Sequence, residues 1–147
     1  MITDSSRIIV LCTGNSCRSQ MAHGFLRHYL RSLGLSRAAA SVCSAGLKPH
    51  GLNPRAVTVM AEVGIDISGH RSADLKEYLA DEFSHIITVC DNAAERCPIL
   101  PGKGERLHWS LPDPAKASGS DEAVMSMFRT VRDAIDMRVR EWLGAVP

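Results

Sequence analysis

Arg7-Ile-Ile-Val-Leu-Cys12, then Thr13-Gly-Asn-Ser16, then Cys17-Arg-Ser-Gln-Met-Ala22 is the stretch on which the fold turns. Its first six residues are mostly apolar and unbroken, the pattern of a strand buried on both faces in a parallel sheet. The Gly/Asn/Ser cluster stops that strand after Cys12. Beyond the turn, apolar residues recur at Met21, Phe25, Leu26, Tyr29, Leu30 and Leu33, a three-and-four spacing closed by Gly34 that predicts a helix.

The alternation repeats along the chain. Residues 39–44 read as a second strand, and 54–63 as a helix with Pro54 in its first turn and Gly64 just past its end. Residues 72–79 predict a short helix, 85–90 a buried strand ending at Cys90, and 107–111 an edge strand. Residues 121–143 carry Val124, Met127, Phe128, Val131, Ile135 and Val139, a long amphipathic helix. The expectation is an α/β fold, one domain over residues 1–147, doubly wound in three layers around a four-stranded parallel sheet. Ligands of such sheets sit at the carboxyl ends of the strands, which is where Cys12 and Cys90 fall.

Composition narrows the function classes. The chain has 147 residues, 45% of them hydrophobic and 22% charged, an ordinary globular make-up that rules out disorder for most of it. With 17 Lys+Arg against 16 Asp+Glu the formal net charge is +1, and the basic residues are scattered, so a nucleic-acid partner is not expected. No apolar run approaches the length of a membrane span and the first residues lack a signal-peptide pattern, so the chain reads as soluble, cytoplasmic and without a membrane partner. Thiols are kept reduced in such a compartment. Five cysteines are therefore better explained by chemistry than by a disulfide framework.

Cys12-Thr-Gly-Asn-Ser-Cys-Arg18-Ser19 has the layout of a cradle for a tetrahedral oxyanion. Gly14 and Asn15 tolerate the positive φ that turns successive N–H groups inward, and the following helix contributes its positive end. Thr13, Gly14, Asn15, Ser16, Cys17, Arg18 and Ser19 are the candidate binding residues, with Arg18 offering a planar fork to two oxygens. The same field favours thiolate at Cys12, making it a nucleophile. Ser19 is placed either to donate to that thiolate or to cap the helix.

Val10-Leu-Cys-Thr-Gly-Asn-Ser-Cys-Arg-Ser-Gln-Met-Ala22 resembles the loop and first helix of the low-molecular-weight tyrosine phosphatase family, and within it the thioredoxin-coupled arsenate reductases. The resemblance continues through Ser44-Ala-Gly46, Gly64-Ile-Asp-Ile-Ser68, Cys97-Pro-Ile-Leu100, His108-Trp109, Asp113-Pro-Ala115 and Phe128-Arg-Thr-Val-Arg-Asp133. It implies a reduction of arsenate to arsenite, with phosphate and sulfate as analogues of the substrate. It implies also that Asp113 is the proton donor and that Cys90 and Cys97 form a redox-active pair whose electrons come from thioredoxin. No tightly bound cofactor or metal is expected, and the protein reads as a monomer. A helix over 90–97 would separate the two cysteines by about 10 Å of rise, whereas a disulfide needs Cα atoms within about 7 Å, so oxidation would unwind that segment. Other readings of the thiols are a zinc site from Cys12, Cys17, Cys90 and Cys97, whose spacings stretch the usual pattern, and inert packing.

Two departures bear on specificity. Tyrosine phosphatases of the family carry an aromatic residue after Asp-Pro, whereas Ala115 and Lys116 stand here, which suits a small inorganic oxyanion. Several members bind potassium through an Asn, a Ser and acidic groups. Asn15 and Ser44 match, but His23 stands where an acid is usual, so potassium binding is expected to be weak or absent. Cys17 reads first as a loop residue packing away, with a protective disulfide to Cys12 as the other reading, and Cys43 as a core thiol; His23 and His28 fall on the first helix and His70, His85 and His108 are isolated, so none makes a metal site. Alternative functions are a phosphatase using Cys12, Arg18 and Asp113 alone, and a redox-responsive oxyanion-binding regulatory protein.

Overall fold

The computed structural model describes residues 2–91 and 98–144, and Cys97 lies outside them. The strands are β1 (Ile8–Cys12), β2 (Cys43–Gly46), β3 (His85–Thr88) and β4 (Glu105–His108), all parallel, in the order β2-β1-β3-β4. The helices are α1 (Arg18–Ser32), α2 (Ser36–Ser41), α3 (Pro54–Glu62) and α4 (Asp121–Leu143).

β1 is buried along its whole length and feeds two cores by alternation. Ile8, Val10 and Cys12 join Met21, Phe25 and Leu26 of α1, Val59 and Met60 of α3, and Phe128, Val131 and Ile135 of α4. Ile9 and Leu11 face the other way, toward Ala45, Ala73, Leu75, Phe83, Ile86 and Leu100. On that second face the described covering is a 3-10 turn over Leu75–Tyr78 with its flanking loops. Residues 72–79 thus hold a tighter helix than expected, started by a reciprocal Asp74/Glu77 capping box.

The strand expected over 39–44 is displaced. Residues 36–41 form α2, and β2 begins only at Cys43. Ala38, Ala39 and Ala40 favour helix, Ala38 and Ala39 are buried, and the Asp4 carboxylate accepts from Arg37 N at 2.9 Å and Ala38 N at 3.4 Å. Likewise β4 lies two residues earlier than expected and β3 ends at Thr88, although Val89 N–H still donates to Leu11 O. Among the described residues no helix is long and apolar enough to cross a membrane.

Candidate active site

Residues 13–16 leave β1 as a loop whose carbonyls are tied away from its centre. Thr13 O accepts from Lys48 N, Gly14 O from His50 N and Ser16 O from Asn53 N, at 2.9 to 3.1 Å, while Asn15 O accepts from Gln20 Nε2 at 3.1 Å. Anchoring each carbonyl on the outside turns N–H groups toward the inside, the condition for an anion nest. Asn15 alone of these residues has positive φ, at 46°. Gly14 does not, contrary to the sequence expectation; a Cβ there would lie 2.9 Å from the exposed His50 ring, which would have to shift. Gly46 allows close approach where β2 passes the loop, a Cβ meeting Asn15 N and Thr13 O at 2.8 Å.

At the floor of the loop, the Cys12 Sγ accepts from Asn15 N–H at 3.2 Å and lies 2.9 Å from Ser19 Oγ. Asn15 Nδ2 donates to the same hydroxyl at 2.7 Å, leaving the Ser19 proton to point at the sulfur. Ser19 is therefore a partner of Cys12 and not the helix cap; the cap position is Cys17, which makes no side-chain cap bond. Asn15 is itself held, its Oδ1 accepting from Ala73 N at 2.8 Å and Gln20 Nε2 at 3.1 Å.

Arg18 is 3% exposed. Its Nη1 donates to Leu111 O at 3.1 Å and its Nη2 lies 3.7 Å from Asp113 Oδ2. Asp113 is held in turn by Ala115 N, which donates to its Oδ1 at 3.0 Å. Cys12, Thr13, Gly14, Ser16, Cys17 and Arg18 line one cavity of about 270 Å³, closed across its mouth by His50, Asp113, Ala115 and Lys116. Cys17 thus lines the cradle where the sequence suggested it packs away. Burial pushes its thiol up to about 12, with Asp113 and Cys12 adding to the rise, which keeps it protonated near neutrality. His50, Gln20 and Leu111 were not flagged by the sequence. The one available signal was Gln20, a polar side chain on the buried face of α1.

Cys90 is fully buried two residues beyond β3 and is disulfide-bonded, whereas Cys12, Cys17 and Cys43 are free thiols. The fifth cysteine, Cys97, is outside the described residues. His70, expected to be isolated, instead stacks on His23 of α1 with ring centroids 4.1 Å apart. His23 Nδ1 lies 2.9 Å from Ser44 Oγ, and His70 Nδ1 donates to Gln20 Oε1 at 3.0 Å. Burial first, then His70 and Arg27, push His23 down to about 3, so the ring is neutral near pH 7.

A thiol at a strand end, a loop closed by a buried arginine, and a carboxylate beside that arginine in the same cavity agree with what sequence comparison finds. Residues 7–147 match the low molecular weight phosphotyrosine protein phosphatase family. The chain belongs to that family. It is 46% identical over 133 residues to an arsenate reductase of Halalkalibacterium halodurans, covering 90% of this chain and 91% of that one. Among solved structures, an arsenate reductase in its phosphate-binding state is similar at a TM-score of 0.70 and 32% identity, over 97% of this chain and 99% of that one. A thioredoxin-dependent arsenate reductase of Corynebacterium glutamicum is similar at a TM-score of 0.67 and 26% identity, over 95% of this chain and 61% of that one.

Proposed function

We propose that this member of the family reduces arsenate to arsenite with thiol electrons. The observation that carries the reading is a free Cys12 at the end of β1 beside a disulfide-bonded Cys90 just past the adjacent β3, an oxidised cysteine for which ester hydrolysis has no use. The relatives named as arsenate reductases support the substrate, and the phosphate-binding one supports an oxyanion in the loop.

In the scheme, Thr13 to Ser19 and the Arg18 fork hold arsenate, and the Cys12 thiolate attacks arsenic. Asp113 gives its proton to the departing oxygen, which leaves as water. The Cys90 thiolate then attacks the Cys12 sulfur; the sulfur–arsenic bond breaks and its electron pair stays on arsenic, releasing arsenite and a Cys12–Cys90 disulfide. Cys97 attacks Cys90, frees Cys12 and leaves a Cys90–Cys97 disulfide, which the dithiol of thioredoxin reduces. A thioredoxin partner is supported by the dependence stated for the Corynebacterium glutamicum relative. The scheme uses no metal or tightly bound cofactor and works in a monomer. Because phosphate has the same shape as arsenate, weak phosphatase activity accompanies it, and among the described lining residues Ala115 and Lys116 follow Asp113-Pro114 with no Phe, Tyr or Trp for a phenol ring to stack on.

The test is arsenite production with thioredoxin, thioredoxin reductase and NADPH, alongside hydrolysis of p-nitrophenyl phosphate. NADPH oxidation matched by arsenite and lost in Cys90→Ser and Cys97→Ser is the expected result. Cys97→Ser should stop after about one turnover with Cys12 and Cys90 joined. Hydrolysis that survives both substitutions with no arsenite formed would make the chain a phosphatase.

A further inference from the structure

On the solvent side of α1, away from the cradle, a groove of about 500 Å³ runs between that helix and the segment 64–70. Its lining includes Arg27, His28 and Arg31 from α1, and Asp66 and His70 from the segment. Arg27 lies nine residues beyond Arg18, about 13 Å along the helix, so this groove is separate from the loop that holds Cys12.

Several arginines elsewhere meet carboxylates, as Arg55 meets Asp121 at 2.8 Å and Arg129 meets Glu62 at 2.9 Å. Among the described residues neither Arg27 nor Arg31 does, although the two guanidinium groups stand one turn apart on the same helix face, where like charges repel. The Arg27 Nε is buried and has no acceptor, an arrangement that is costly unless a ligand supplies one. The lining holds one carboxylate, Asp66, whose Oδ1 accepts from Ser68 N at 2.8 Å and Ser68 Oγ at 2.6 Å; it makes no ion pair with either arginine and leaves the lining with an excess of positive charge. The groove therefore presents two cations against one carboxylate, an orphaned buried donor and two imidazoles around a space large enough for a tetrahedral anion.

We propose that this groove is a second oxyanion site, taking a phosphate-type dianion through the forks of Arg27 and Arg31. Two planar forks match the oxygens of a phosphoryl group, free or at the end of a larger molecule. The proposal stands whether or not the cradle reduces arsenate.

The experiment is calorimetric titration of inorganic phosphate at low ionic strength. One sample is the unmodified protein; another has Cys12 carboxymethylated by iodoacetate, which fills the cradle with a carboxylate. Two sites in the first and one in the second are expected, and Arg27→Gln/Arg31→Gln should weaken the remaining site at least tenfold. Arg31→Gln alone, at an exposed position, should weaken it several-fold and guards against misfolding of the double variant. In the carboxymethylated protein, glycerol 3-phosphate binding as tightly as phosphate would extend the site to larger ligands, and binding tenfold more weakly would confine it to the free anion; either supports the site. A single phosphate site in the unmodified protein, or a remaining site indifferent to both arginine variants, would overturn the proposal.

Discussion

At Cys12 two donors converge on one sulfur, the Asn15 amide and the Ser19 hydroxyl; the hydroxyl is fixed by Asn15 Nδ2, and the Asn15 side chain in turn by Ala73 N–H. Hydrogen bonds to a charged acceptor contribute about 1.5–3 kcal/mol each, so Ser19→Ala should slow alkylation of Cys12 by iodoacetamide at neutral pH by roughly tenfold. Label should appear on Cys12 and not on Cys17, whose thiol is held protonated by burial; mass spectrometry of the alkylated peptide distinguishes them. His23 offers a further test. Its neutral ring stacks on His70 and meets Ser44 where an acidic oxygen would be needed for a hard cation, so activity at fixed ionic strength should be unchanged when sodium is replaced by potassium. The cradle itself was readable because its grammar is local, with strand, turn, thiol and arginine within a dozen residues. Gln20 and His50 were not, because each acts on the loop through a contact that only the folded chain creates.

Among the elements, α1 and α4 were legible because their apolar spacing is long enough to outweigh any local ambiguity. α4 runs over the predicted residues, with Ser120 capping its start through Ala123 N and Gly144 at its end in the left-handed region. The miss at 39–44 has the opposite cause. Six residues are too few for a period to declare itself, and what makes 36–41 helical is a carboxylate from Asp4, more than thirty residues away. Asp4→Ala should therefore uncap α2 and lower the unfolding free energy by about 1 kcal/mol, measured by urea denaturation, while leaving arsenite production intact. The register of β4 was misread for a related reason: its exposed, mixed sequence Glu105-Arg-Leu-His108 has no apolar alternation, and only its pairing with β3 defines it.

For the molecule as a whole, pH should act through buried imidazoles. His23 titrates near 6.5 in an unfolded chain and near 3 in the folded one, and burial moves His70 and His85 in the same direction. As pH falls below 6.5 the unfolded state takes up protons first. The stability from keeping these rings neutral is therefore fully present above 6.5 and is lost progressively toward pH 3. For His23 alone this is on the order of 3 kcal/mol, so urea denaturation between pH 7 and 4 should show a steep loss that His23→Gln flattens. The strand order also decides where chemistry can occur. β1 sits between β2 and β3, the chain crosses from one side of it to the other, and the crevice opened at that switch receives Cys12 from one strand and Cys90 from just beyond its neighbour.

The ties that shape the cradle reach far along the chain, from Thr13 to Lys48, Asn15 to Ala73, and Arg18 to Leu111 and Asp113. During synthesis Cys12 emerges almost first, yet the last residue that ties its loop is translated a hundred residues later. Until residue 113 has left the ribosome, the loop lacks the Leu111 and Asp113 partners that hold Arg18 in place. In the proposed scheme oxyanion chemistry therefore waits on completion of the fold, and truncated products ending before residue 111 would carry the whole motif without the groups that hold its arginine.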